Sequence, residues 1–165
     1  MDPLSEDFVE KTRQEVAEFS PPKAHKEMLA MGKHQPDLLA FLTAFADDLQ
    51  QEVKELAIYI AFVVYKMFLD ASGNIPRISS KEIMTRYDEN IRFLERLQGT
   101  HEKIFDRIAK IELSKQPFVM KYLLEALMED AEKDRIDMTE EAIGFLYILI
   151  KTEIEVLDKK APMKH

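Results

Sequence analysis

The chain has 165 residues, a net charge of −8 and no cysteine. These exclude disulfides, thiolate nucleophiles and cysteine zinc sites, and disfavour a nucleic-acid partner, whose phosphates need a concentrated positive surface. Only four glycines argue against a hairpin-rich β fold and against phosphate-cradling loops, while the length suits one domain with a substantial core.

The acidic stretch Met1 to Asp7 has no apolar run, so no secretory signal is expected. Ser5 is placed to N-cap a first helix, with Leu4 and Val9 as its hydrophobic staple. Phe8, Val9, Thr12, Val16 and Phe19 then keep helical spacing. Ser20-Pro21-Pro22 is expected to end that helix, and a short helical segment from Ala24 to Met31 to follow and stop near Gly32. Pro36 suits the first turn of a helix, where a missing N–H costs nothing. Leu38, Leu42, Phe45 and Leu49 form its apolar stripe. Asp48 with Gln51 predicts a capping box after a tight turn near Asp47. The helix from Gln51 to Leu69 is apolar on nearly every face through its middle, so it is expected to be the most buried. Its longest apolar run, Leu56 to Tyr65, falls far short of the roughly 20 residues that span a bilayer. A soluble, cytoplasmic chain with no membrane partner is the expectation.

Ala71 to Pro76 reads as a loop joining two halves. Ser79 with Glu82 forms a capping box, and Ile78 with Ile83 its staple. Ile83, Tyr87, Ile91, Leu94, Leu97, His101, Ile104, Ile108 and Ile111 recur at spacings of three and four, through Gly99. A glycine inside a helix costs only about 1 kcal/mol, so residues 79–113 fit one helix or two. Pro117 starts another helix with the stripe Met120, Leu123, Leu124, Leu127 and Met128, and the charged stretch Glu129 to Asp137 carries its end and a loop. Thr139, stapled by Met138 and Ile143, is expected to open a last helix running to about Leu157. Residues 159–165 are expected to form a disordered tail. The pattern predicts an all-α, single-domain bundle of six to eight helices over residues 1–158, with halves 1–72 and 77–158.

The chain also echoes itself. Gln35-Pro36 followed by Leu38, Leu39, Phe41, Leu42 and Phe45 recurs as Gln116-Pro117 followed by Val119, Met120, Tyr122, Leu123 and Ala126. Each copy leads to an apolar run closed by a lysine, Lys66 and Lys151. Residues 35–66 and 116–151 are therefore expected to be pseudo-symmetric helical hairpins. On Gln35-Pro36-Asp37-Leu38-Leu39-Ala40-Phe41-Leu42 and Gln116-Pro117-Phe118-Val119-Met120-Lys121-Tyr122-Leu123, the chain resembles small bacterial all-helical proteins that carry no assigned function. The resemblance implies the helical fold and no activity.

No catalytic or cofactor motif stands out. None of the four histidines, His25, His34, His101 and His165, sits in the Glu-x-x-His pair of di-iron bundles or a His-Glu-x-x-His zinc signature. His101 with Glu102 and Asp106 comes nearest to a ligand set, but a histidine on a helix seam is more often a hydrogen-bonded core or edge residue. No metal or cofactor is assigned, and catalytic residues remain unknown. Lys66 and Lys151 are either nucleophiles or anion ligands of lowered pKa or, more commonly at such places, snorkelling side chains.

The function this supports is a helical interaction or scaffold protein, self-associating as a dimer or binding another protein. The seam from Ile83 to Ile111 would supply the dimer contact, with Arg92, Arg96 and Arg107 meeting acids of the partner. The alternative is an enzyme or small-ligand binder with a pocket between the hairpins near Lys66 and Lys151.

Overall fold

The computed structural model describes residues 1–97, 115–130 and 136–162. Among them are seven α-helices, one π-helical turn and no strand, so the all-α, single-domain expectation holds. Helix α1 spans Glu6–Ala17, and the Ser5 hydroxyl accepts from the Phe8 N–H at 3.2 Å. Leu4 and Val9 are both buried beneath this cap.

Helix α2 spans Pro21–His34 and corrects the shorter segment expected from Ala24 to Met31. Ser20 caps it through Lys23, and the two prolines occupy the first turn, where no N–H is needed. Ser20-Pro21-Pro22 thus starts α2, α1 having already ended at Ala17 with Glu18 as its C-cap, and Gly32 lies inside α2 rather than at its end.

Helix α3 is Pro36–Ala46 and α4 is Gln51–Ser72. The turn near Asp47 is present, but α4 is preceded by Gln50 with no side-chain cap bond, so the Asp48 capping box does not form. Asp47 instead accepts from Lys54 Nζ at 2.6 Å. Helix α4 ends at Gly73, whose φ of 80° is the left-handed conformation that glycine adopts without a Cβ penalty.

Helix α5 spans Ser80–Leu97 and opens with the expected capping box. The Ser79 N–H donates to Glu82 at 2.8 Å and the Glu82 N–H to Ser79 Oγ at 3.2 Å. Helix α6 is Pro117–Glu125, followed by the π-helical turn Ala126–Asp130. Helix α7 is Glu140–Lys160, capped by Thr139 through Ala142. It runs past the expected end at Leu157, and Lys160 Nζ reaches Glu82 Oε1 at 2.9 Å while Ala161 is buried. The start of the tail expected over 159–165 is therefore ordered. Whether residues 79–113 form one helix or two falls outside the described residues beyond Leu97.

Helices α4 and α7 pack against each other at the centre. Around them the other helices fall into matching places. Helix α1 lies on α4 as α5 lies on α7, and α3 lies on α4 as α6 lies on α7. Helix α3 also touches α5, as α6 touches α1. Burial is greatest on α7, with 12 buried residues against 10 on α4, so the expectation that Gln51–Leu69 is the most buried helix is corrected. The apolar run of α7 is interrupted by Lys151, Thr152 and Glu153, which hid its central place.

Two glutamines tie distant segments together. Gln35 and Gln116 precede α3 and α6 with nearly the same backbone angles, φ −131° and ψ 63° against φ −131° and ψ 71°. Neither amide caps its own helix. Gln35 Nε2 donates to the carbonyls of Ile75 and Pro76, both at 3.0 Å, and its Oε1 accepts from the Ile78 N–H at 2.9 Å. Gln116 Oε1 accepts from the Leu4 N–H at 3.0 Å, and its Nε2 donates to the Asp2 carbonyl at 3.2 Å and Asp158 Oδ1 at 2.7 Å. Each glutamine holds the backbone just ahead of a serine-capped helix distant in sequence, α5 for Gln35 and α1 for Gln116.

Candidate functional site

Two constellations stand apart from ordinary packing. The first is a buried polar cluster between α5 and α7. Asn90 is 1% exposed and nearly saturated. Its Nδ2 donates to Thr152 Oγ1 and Glu155 Oε1, each at 3.0 Å, and its Oδ1 accepts from Lys151 Nζ at 2.7 Å. Lys151 also pairs with Glu155 Oε1 at 2.5 Å and lies 5.8 Å from the Phe93 ring centroid. Arg86 bridges Glu155 at 3.3 Å and Glu89 at 2.9 Å.

Lys151 is only 3% exposed, so it does not snorkel to water. Its ammonium is neutralised inside the fold, which a buried cation requires. Lys66 takes a similar course in the other half, pairing with Asp70 at 3.3 Å and Glu27 at 3.6 Å. Both lysines use the acid four residues on, one helical turn away. Thr152 donates to the Ile148 carbonyl at 2.8 Å. The cluster balances its charges internally, as a structural core network does.

Glu153 is different. It is fully buried on α7, and neither carboxylate oxygen has a hydrogen-bond partner. Desolvation pushes its pKa well above the ordinary value, because burial disfavours the charged form. It also helps raise the Tyr65 hydroxyl on α4, where burial acts first and the charges of Glu153 and Glu27 add to it.

The second constellation is on the outside. The outer face of α6 and its π-helical turn forms an open groove of about 600 Å³, with Phe118, Leu124 and Met128 as its apolar floor. Met128 is 46% exposed. Counted from each Gln-Pro, Phe118, Leu124 and Met128 match Asp37 and Thr43 of α3 and Asp47 at its C-cap. The inward positions agree between the two helices: Leu38, Phe41, Leu42 and Ala46 are buried, as are Val119, Tyr122, Leu123 and Leu127. On the outward side the two differ position by position: Asp37, Thr43 and Asp47 stand against Phe118, Leu124 and Met128, while the exposed Ala40 and Ala44 of α3 stand against Lys121 and Glu125.

Of the other expected site residues, His101, Glu102 and Asp106 lie outside the described residues, as does much of the Ile83–Ile111 seam. In its described part Ile83 is fully buried, and Tyr87 packs with Phe41 and Phe45 at centroid distances of 5.5 and 4.7 Å. That start of the seam serves the chain's own core. Among the described residues no three His, Cys, Asp or Glu side chains converge as a metal site, and no helix is long and apolar enough to cross a membrane.

Glu153, Asn90 and the groove escaped the sequence reading. A signal for Glu153 was present, since it continues the stripe Leu146, Leu149 and Ile150 toward Leu157 at helical spacing. Leu124 and Met128 keep the helical spacing of core residues, and Leu124 does pack partly against the core while Met128 is exposed. The chain matches no protein-family model, no curated protein and no solved structure.

Proposed function

We propose that the chain is a helical interaction protein, a scaffold rather than an enzyme, with the outer face of α6 as its docking surface. The observation that carries this is the apolar groove over Phe118, Leu124 and Met128, at positions whose counterparts on α3 are polar. Phe118 and Leu124 are half-buried and Met128 is exposed, and an open apolar groove of this kind is a mark of an interaction site. The internal satisfaction of Lys151, Asn90 and Glu155 supports the non-enzymatic side of the reading.

The two halves are proposed to be internal repeats. The exchanged contacts of Gln35 and Gln116 support that reading, as do the matching helix neighbours. Cytoplasmic location and self-association stay as parts of the proposal, the second tested by sedimentation velocity.

Binding of an environment-sensitive hydrophobic dye tests the docking surface. Phe118→Ser and Met128→Ser should each remove much of the dye signal while the melting temperature stays near that of the unaltered chain. Unchanged dye binding in both variants would remove the reading.

A further inference from the structure

We infer that the α6 groove docks the apolar side of an amphipathic helix with basic flanks, contributed by another protein. This rests on the interaction reading above and names its partner. The floor runs from Phe118 to Met128, ten residues of helix or about 15 Å. That length matches anchors at i, i+3 or i+4, and i+7 on a docked helix. Met128 and Leu124 are flexible enough to fit side chains of varied shape, as methionine-bearing helix grooves do.

Charge selects the occupant. Around the groove and the small cavity beside it stand four carboxylates, Glu6, Glu10, Glu125 and Glu129, against two cations, Lys121 and Arg13. Both cations are already held: Lys121 by Glu6 at 2.9 Å, and Arg13 by Glu125 at 3.2 Å and Glu10 at 3.7 Å. The excess is negative, in a chain that itself carries −8. A second copy pressed face to face would oppose like charges, whereas lysines or arginines flanking an apolar stripe would meet Glu129 and its neighbours. Complementary potentials of this kind favour one partner and penalise the other.

The test uses the full chain and a fluorescent Leu/Lys amphipathic peptide of about 18 residues, five helical turns. Controls are a Leu/Glu peptide of the same pattern and a scrambled Leu/Lys peptide, all read by anisotropy at about 0.15 M salt. The expected result is binding of the Leu/Lys peptide at least about tenfold tighter than either control, a difference of about 1.4 kcal/mol. Met128→Glu should abolish that preference although it adds negative charge, and Phe118→Ser should weaken binding without adding any. Both variants are checked by thermal melts. Equal binding of the scrambled peptide, or binding unaffected by both substitutions, would overturn the inference. Sedimentation showing a dimer that Met128→Glu dissociates would also overturn it, giving the groove to a second copy while leaving the interaction reading intact. Loss of the interaction reading itself would show separately, as dye binding unchanged by Phe118→Ser and Met128→Ser.

Discussion

Gln35 and Gln116 stand at almost identical backbone angles, and each holds the start of a distant helix, Gln35 that of α5 through Ile78 and Gln116 that of α1 through Leu4. Each bond closes on the residue before a capping serine, so each glutamine fixes where a distant helix begins. Both side chains are buried, at 0% and 2% exposure. Truncation therefore leaves backbone groups without partners rather than returning them to water. Gln35→Ala and Gln116→Ala should each cost about 2–4 kcal/mol, from stranded groups at roughly 1–3 kcal/mol apiece with partial relaxation. Urea unfolding measures this, and a cost well below 1 kcal/mol for both would deny them the clamping role.

The central α4–α7 pair sets the core. Ile60 is 1% exposed on α4 and Ile150 fully buried on α7. Ile60→Ala and Ile150→Ala should each lose about 2–5 kcal/mol, the transfer of buried methylenes plus a cavity. Tyr59, 42% exposed on α4, should cost much less when changed to Ala. Similar losses at all three positions would mean that α4 has no outward side.

Glu153 makes stability fall as pH rises. Its folded pKa lies well above the ordinary 4.5 because burial disfavours the charged form. Above pH 4.5 the unfolded chain releases this proton while the folded chain keeps it, so unfolding becomes easier until the raised pKa is passed. Phe68, at the matching place before the end of α4, is buried and apolar. Glu153→Leu should therefore stabilise the fold at pH 7 by about 1–3 kcal/mol, the cost of an unpaired buried polar group. The gain should shrink toward pH 4. A destabilised variant at pH 7, or a gain that does not change with pH, would contradict this.

Glu82 behaves in the opposite sense. The bond from Lys160, then those from Ser79, hold its pKa down to about 2. Its contribution is present above pH 4.5 and is lost as pH falls toward 2. Lys160→Ala should move the Glu82 titration back up toward the usual carboxylate range in an NMR titration. Because the pair lies at the surface, the stability loss at pH 7 should stay below about 1 kcal/mol. An unmoved Glu82 would detach the end of α7 from α5.

The local signals in the chain were legible because their physics is local. Ser5, Ser79 and Thr139 cap helices within three residues of themselves. Ser20 is ambiguous in the sequence because consecutive prolines can follow the end of a helix or fill the first turn of one, and the packing of α2 on α3 goes with the second use. The partners of Gln35 lie about 40 residues away, and of those of Gln116, Leu4 and Asp2 lie more than 110 away and Asp158 lies 42 away, which no spacing pattern reveals. The groove was hidden by periodicity: Leu124 and Met128 keep the helical repeat of core residues, and only comparison with Thr43 and Asp47 marks them as outward.

The docking surface is tested most directly by an NMR map of backbone amide shifts as the Leu/Lys peptide is added to the full chain. Shifts should concentrate between Phe118 and Glu129 and reach neighbouring amides of α1 around Glu6 and Glu10, leaving the outer face of α3 unmoved. Shifts spread evenly over the acidic surface, or centred on α3 instead, would contradict the assignment of α6 as the docking face.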